Sequence, residues 1–227
     1  MKLDWRNELP MWILLALLFT LAAANWQSAP DHIAVHYGLN GQPDRWGGRA
    51  EGLLAMPLVS LGIYLAMLFL PFVDPGRANY ATFARTYAIL RLLVLLVLAG
   101  IYIAVLLTLH GRRVDMAGVA PLLVGGLFIL LGNMLGKIRP NWFVGIRNPW
   151  TLSSKESWTR THRVGGWVFM AGGILFMTCA LVRRPAYLAA VGVLFGIAVV
   201  CLMAYSYRVW RTDPDKVPPA GTSPAEP

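Results

Sequence analysis

The sequence predicts an all-α integral membrane protein: a six-transmembrane-helix bundle with a small extracytoplasmic hairpin loop and a short interfacial cytoplasmic helix. Of its 227 residues, 57% are hydrophobic and only 14% are charged, a composition that soluble domains do not show. Six apolar runs approach the ~20 residues that a helix needs to cross a bilayer. None of the six runs, residues 10–26, 52–73, 92–109, 118–135, 165–182 and 186–207, contains Asp, Glu, Lys, Arg or His. We therefore expect the ionisable groups to lie in the links and tails.

These runs define a single membrane domain, residues 1–211. We expect helices at about residues 10–26, 52–73, 87–109, 118–135, 165–182 and 186–207, with an outer loop at 27–51 and an inner signature loop at 136–163. The first run ends in three alanines that resemble a signal-peptide cleavage site, but the segment before it lacks a positive bias, which favours a retained span. Residues 212–227 are rich in proline, and we expect them to form a disordered cytoplasmic tail.

The distribution of cations predicts the orientation in the bacterial cell membrane. With both termini cytoplasmic, fourteen of the 20 Lys and Arg residues fall on the inner side, as the positive-inside rule requires. Much of the net charge of +9 would then face anionic lipid. Because the cations are spread over several links, we expect no direct contact with nucleic acid.

The outer loop predicts a β-hairpin. Asn40-Gly41 is a strong signal for a type I′ turn, and residues 33–37 alternate in the manner of a strand. Pairing about this turn places Tyr37 opposite Asp44 and His36 opposite Arg45.

Five polar or turn residues of this loop are the candidate residues of the extracytoplasmic side: His32, His36, Asn40, Gly41 and Asp44. On a strand, His32 and His36 would lie about 13 Å apart, too far to share one zinc ion with bonds of about 2 Å. We therefore expect no metal site and favour a polar hairpin held by its own hydrogen bonds. Histidine protonation could make the loop sensitive to external pH.

The inner signature loop carries six Lys or Arg residues against one acid, Glu156. The pattern from Ser153 to Glu156 fits a capping box, which predicts a short helix from about Ser154 to His162. Its tryptophans fit an aromatic belt at the headgroup level. The belt leaves the many Asn, Ser and Thr residues unexplained, and such groups either fix one loop conformation or bind a ligand.

The segment GNMLGKIRPNWFVGIRNPWTLSSKESWTRTHRVGG resembles the signature of the SdpI family, and the outer segment PDHIAVHYGLNGQPDRWG resembles the membrane domain of unknown function that often precedes it. The resemblance implies a bacterial multi-pass protein that gives immunity to a secreted toxic peptide, and whose founding branch also holds a transcriptional regulator at the membrane. The positions that fall in the family motif are the candidate partner-binding residues: Arg139, Pro140, Asn141, Gly145, Arg147, Pro149, Trp150, Thr151, Trp158, Thr161 and His162.

Three function classes compete. A receptor or immunity protein would bind an extracellular toxic peptide and a cytosolic transcriptional regulator besides the lipid bilayer. An ion-coupled transporter needs ionisable groups inside the membrane, and the six runs lack them, so that only a lipid or peptide flippase without ion coupling remains as the alternative. An enzyme is not expected, and no cofactor is implied, because Glu156 and His162 would point to different faces of one helix and no other acid–base pair is evident.

Overall fold

Six long helices form the body of the protein, whose computed structural model describes residues 5–217, with side chains from residue 7 onward. They are α1 (Trp5–Asn25), α2 (Arg49–Val73), α3 (Ala84–Leu109), α4 (Met116–Leu135), α6 (Lys155–Val182) and α7 (Pro185–Thr212). The strands β1 (Ile33–Tyr37) and β2 (Pro43–Gly47), a 3-10 helix (Arg77–Phe83) and the short α5 (Pro149–Leu152) lie in the links. All six long helices are long and apolar enough to cross a membrane, which confirms the predicted fold class. We call the two ends of the bundle the hairpin side and the signature side.

The fifth predicted span begins ten residues earlier than expected. A helix does begin next to Ser154, whose side chain accepts a hydrogen bond from the Ser157 backbone N–H at 2.8 Å. It does not end near His162 as a separate interfacial helix, because no proline follows directly and the helix continues through Gly165 and Gly166. It continues as α6 to Val182, so the short interfacial helix of the loop is α5 instead.

The start of the predicted disordered tail is ordered. Helix α7 extends to Thr212. Asp213 is buried, with its Oδ2 atom accepting a 2.5 Å hydrogen bond from the Ser154 hydroxyl, and the Val217 backbone N–H donates to the Ser153 carbonyl at 2.9 Å. Polar partners on the signature side therefore hold this segment, which composition alone could not show. Residues 218–227 lie outside the described part of the chain.

The six helices group by sequence into two halves. Helices α1, α2 and α3 pack around two buried clusters that include Leu18, Tyr64 and Tyr102. Helices α4, α6 and α7 form the second half, and α3 packs against α4 across the seam. Within the second half α4 and α6 approach closely at glycines, since a Cβ at Gly132 would lie 2.5 Å from the carbonyl oxygen of Gly166. Such small-residue contacts drive helix packing where lipid provides no hydrophobic force.

A buried ion pair contradicts the expectation that ionisable groups stay in the links. Glu8 of α1 and Arg91 of α3 lie within the candidate membrane spans, and Arg91 Nη2 is 2.5 Å from Glu8 Oε1. Their side chains are 4% and 1% exposed. Tyr64 donates to the other Glu8 oxygen at 3.0 Å, and Trp12 donates to Tyr64 at 2.6 Å. Both residues lie just before the start of a predicted apolar run. Helix packing brings their charges together although 83 residues separate them in the sequence.

The hairpin forms with a different turn from the one predicted. The pairing of His36 with Arg45 is confirmed, but Tyr37 lies opposite Pro43 rather than Asp44, because the register shifts between the two pairs. Gly41 has φ +73°, whereas Asn40 does not adopt the positive φ that a type I′ turn requires. The Gly41 N–H donates to the Gly38 carbonyl and the Gly38 N–H donates to the Gln42 carbonyl, so the turn is one residue longer.

Candidate functional site

The signature loop, residues 136–154, is a folded element rather than a simple connector. Its first half is organised by the buried side chain of Asn141. The Asn141 Oδ1 atom accepts hydrogen bonds from the backbone N–H groups of Phe143 (2.9 Å) and Val144 (2.6 Å). Its Nδ2 atom donates to the carbonyls of Arg139 (2.9 Å) and Val144 (3.0 Å). A single amide thus satisfies four backbone groups and fixes the turn between the two prolines.

Asp74, at the end of α2, connects this turn to the first half of the bundle. Its buried carboxylate accepts hydrogen bonds from the Trp142 backbone N–H (3.1 Å) and the Tyr80 hydroxyl (2.8 Å). Beside it, the Asn79 side chain donates to the Pro140 carbonyl at 2.6 Å. Asp74 was not among the predicted site residues. It is the only acid in a link that otherwise carries cations, and this feature of the sequence could have identified it.

His162 joins the loop to α6. Its Nδ1 atom lies 2.8 Å from the Trp158 carbonyl and its Nε2 atom lies 3.0 Å from the Ile146 backbone nitrogen. An amide N–H can only donate, so Nε2 accepts and Nδ1 carries the proton. The ring also stacks on Trp158 with 4.1 Å between centroids. Gly145 permits this contact, since it has φ +110° and a Cβ there would overlap the Nε2 atom.

A second set of hydrogen bonds fixes the loop against α7. The Asn148 side chain caps α5 by accepting from Trp150 N (3.1 Å) and Thr151 N (2.9 Å). Its Nδ2 atom donates to the hydroxyl of Ser206 on α7 at 2.8 Å. The Thr151 hydroxyl donates to the Ile146 carbonyl at 2.9 Å. Trp150 packs obliquely on Tyr207 of α7, with 5.2 Å between the ring centroids.

The structure divides the candidate partner-binding residues by exposure. Five of them are buried: Asn141, Thr151, Trp158, Thr161 and His162. All but Thr161 bond to backbone groups of the loop through their side chains. Pro140, Gly145 and Trp150 are half-buried, and Arg139, Arg147 and Pro149 are exposed. The buried and exposed candidates could not be distinguished from the sequence, because any polar residue in a link between spans is expected to face water.

The exposed side chains form what we call the signature surface: Lys137, Arg139, Trp142, Phe143, Arg147 and Leu152. Trp142 is 54% exposed, and the Arg147 guanidinium donates to its carbonyl at 2.8 Å. Within the described residues, the three cations of this surface have no acidic partner. The surface therefore offers positive charge and aromatic area to a partner.

On the hairpin side the candidate residues of the outer loop have distinct roles. His36 Nδ1 and Asp44 Oδ1 lie 2.5 Å apart across the two strands. The Asn40 side chain accepts from the Gln42 N–H at 3.0 Å, within the turn that contains Gly41. His32 is exposed and borders a cavity that His36 does not line.

Two cavities lie between the halves of the bundle. One, of about 430 Å³, is bordered by the hairpin and by α2, α3 and α4. The other, of about 320 Å³, lies under the signature loop and is lined by α2, α3, α4 and Phe143 to Ile146. Both cavities have mainly apolar walls, and their volumes suit small ligands or side chains.

Two segments of the chain match known family models. Residues 137–207 match the SdpI/YfhL protein family, and residues 13–61 match a domain of unknown function, DUF1648. The immunity protein SdpI of Bacillus subtilis (strain 168) is 23% identical over 199 residues, which cover 88% of this chain and 93% of that protein. No solved structure matches significantly. The chain is thus a multi-pass membrane protein in which a segment that matches DUF1648 precedes a segment that matches the SdpI/YfhL family.

Proposed function

We propose that the protein is a non-enzymatic membrane protein of SdpI type, which protects a bacterial cell from a secreted toxic peptide and docks a cytosolic regulator on its signature surface. The similarity to an immunity protein along most of both chains supports the first part. The second part rests on the signature surface and on the orientation that the cation distribution favours.

The observation that carries the docking proposal is the contrast between the interior and the exterior of the signature loop. Buried groups such as Asn141 and His162 satisfy the loop backbone and hold one conformation. The side chains left outside are cations and aromatics, types that contribute most to binding at interfaces. A surface that is already ordered loses little conformational entropy when a partner binds.

The chemistry of the surface defines the partner. Among residues 5–217, Lys137, Arg139 and Arg147 form no salt bridge with an acid. Trp142 and Phe143 present apolar area. We propose that the regulator contributes an acidic patch with an apolar centre. Salt above about 0.5 M would then weaken the complex, because ion pairs across an exposed surface are screened.

Deletion of the gene tests the immunity proposal. We expect the deletion strain to become more sensitive to at least one peptide in a broad panel of secreted antimicrobial peptides, and expression of the chain to restore survival. Unchanged survival across the panel would remove immunity as the function.

Transport of a lipid or peptide is a second candidate, favoured by the two apolar cavities between the halves. The buried Glu8–Arg91 pair also places ionisable groups within the candidate spans, and this weakens the argument against transport. A flux assay with labelled lipid in vesicles containing the purified protein separates the two functions, since an immunity protein that acts by binding gives no flux.

A further inference from the structure

We infer that the edge of β1 that does not pair with β2, together with the 430 Å³ cavity beside it, forms a binding site for an extended peptide strand with apolar and acidic residues. The inference deepens the proposed function and rests on it for the identity of the physiological peptide. It names the place and the chemistry by which a toxic peptide would be held.

The first observation is that β1 presents its edge to the cavity. Six consecutive residues, Ala34 to Leu39, line the wall, whereas β2 contributes only Arg45. Side chains of a strand alternate between two faces, so a cavity that lay on a face of the sheet would be lined by every second residue of both strands. The lining pattern therefore places the cavity beside β1, on the side away from β2.

That edge is unpaired. Among the residues that the structure describes, no backbone–backbone hydrogen bond reaches Ile33–Tyr37 from outside the hairpin. An open edge is a template on which another extended chain can add as a strand. Backbone hydrogen bonds then supply affinity, and pockets for alternate side chains supply specificity.

The walls of the cavity fit an apolar side chain of such a strand. They include Ala55 and Met56 of α2, Val105 of α3, and Ala120 and Val124 of α4. The Arg45–Glu51 ion pair, at 2.7 Å, also lies on the wall. The site thus combines a polar backbone edge with an apolar pocket, and a lipid acyl chain would leave the backbone edge without partners.

The charge around the hairpin favours an acidic peptide. All four acids on this side have a basic partner: Asp31 with Arg49, Asp44 with His36, Glu51 with Arg45, and Asp115 with Arg183. Arg112 and Arg113, which border the other side of the hairpin, have no acidic partner within residues 5–217. Their uncompensated positive charge would attract a strand with acidic residues to this side of the bundle.

The test uses the full chain in nanodiscs and a fluorescent eight-residue peptide of alternating Val and Glu. Two further peptides carry N-methyl groups on all Val or on all Glu residues, which removes the N–H groups of one strand edge at a time. We expect the parent peptide to bind, one N-methylated peptide to bind at least tenfold more weakly, and the other to bind nearly as the parent does. A lysine version in place of glutamate should bind more weakly than the parent.

Two variants of the protein complete the test. Ala120→Trp fills the cavity and should weaken binding of the parent peptide at least tenfold, whereas Val193→Trp, on an exposed part of α7, should not. Equal binding of both N-methylated peptides would mean that the cavity takes apolar groups without strand pairing, as a lipid chain would, and would overturn the inference. Absence of binding by the parent peptide would overturn it as well. Binding with the expected edge asymmetry in a protein that gives no protection would refute immunity and leave this site standing.

Discussion

The Nε2 atom of His162 accepts a hydrogen bond from the backbone N–H of Ile146 at 3.0 Å. This contact joins the signature loop to α6 at the point where the chain passes through Gly145. Both ring nitrogens contact backbone groups, since Nδ1 lies 2.8 Å from the Trp158 carbonyl, so the imidazole serves the loop conformation.

Gly145→Ala should destabilise the protein. The alanine would have to adopt φ +110° and would overlap the His162 ring, which together should cost at least about 2 kcal/mol of unfolding free energy. Thermal unfolding of the purified protein in detergent measures the loss. Gly136→Ala is the matched control, because nothing lies within 4 Å of its Cβ position. Equal stability of the two variants would show that the contact with His162 does not hold the loop.

Removing one member of the Glu8–Arg91 pair should be strongly destabilising. Arg91→Ala leaves the Glu8 carboxylate buried without its cation, and breaking a buried pair in this way costs about 3–5 kcal/mol. Arg85→Ala, at an exposed position of α3, should change unfolding by less than about 0.5 kcal/mol. The doubly exchanged protein, with Glu8→Arg and Arg91→Glu, should recover part of the loss. A single variant as stable as the control would contradict the assignment of a structural ion pair.

The segment after α7 should detach at low pH. The hydrogen bond from the Ser154 hydroxyl lowers the pKa of Asp213 below its ordinary value of 3.8. A carboxyl whose pKa is lowered by folding stabilises the folded state above its unfolded pKa, and this stabilisation is lost as the pH falls through the lower, folded pKa. Asp213→Asn should therefore reduce protection of the segment from proteolysis at pH 7 but make less difference at a pH well below 3.8. The same difference at both pH values would contradict this account.

The orientation can be measured by cysteine labelling in a background in which Cys179 and Cys201 are replaced by serine. A membrane-impermeant maleimide should label Leu39→Cys, on the hairpin side, in intact cells. It should label Lys137→Cys, on the signature surface, only after permeabilisation. Labelling of the signature surface from outside would reverse the proposed topology and remove the cytosolic regulator from the account.

The sequence was sufficient to predict the spans and the hairpin but not the contacts that build the site. Hydropathy defines six spans because lipid requires apolar length. The predicted His36–Arg45 pair is present only because the register shift beside it offsets a turn that is one residue longer than expected. The ends of the helices were harder to predict, since a helix can continue through polar residues such as Glu8 when a distant residue pairs with them. The burial of Asn141 and His162 could not be predicted either, because it depends on backbone groups that only the folded loop presents. The turn that contains Gly41 is one residue longer than predicted, and this length could not be predicted from the sequence either.

The most direct test of the docking account is a survival assay in the deletion strain, with a peptide from the panel that kills this strain. Trp142→Ala and Arg147→Ala, on the signature surface, should abolish protection while the variant proteins remain at normal abundance in the membrane. Trp167→Ala is the control, since this tryptophan is 70% exposed on α6 but lies outside that surface, and it should protect as well as the unchanged chain. Full protection by both signature-surface variants would contradict the claim that this surface works by holding a partner.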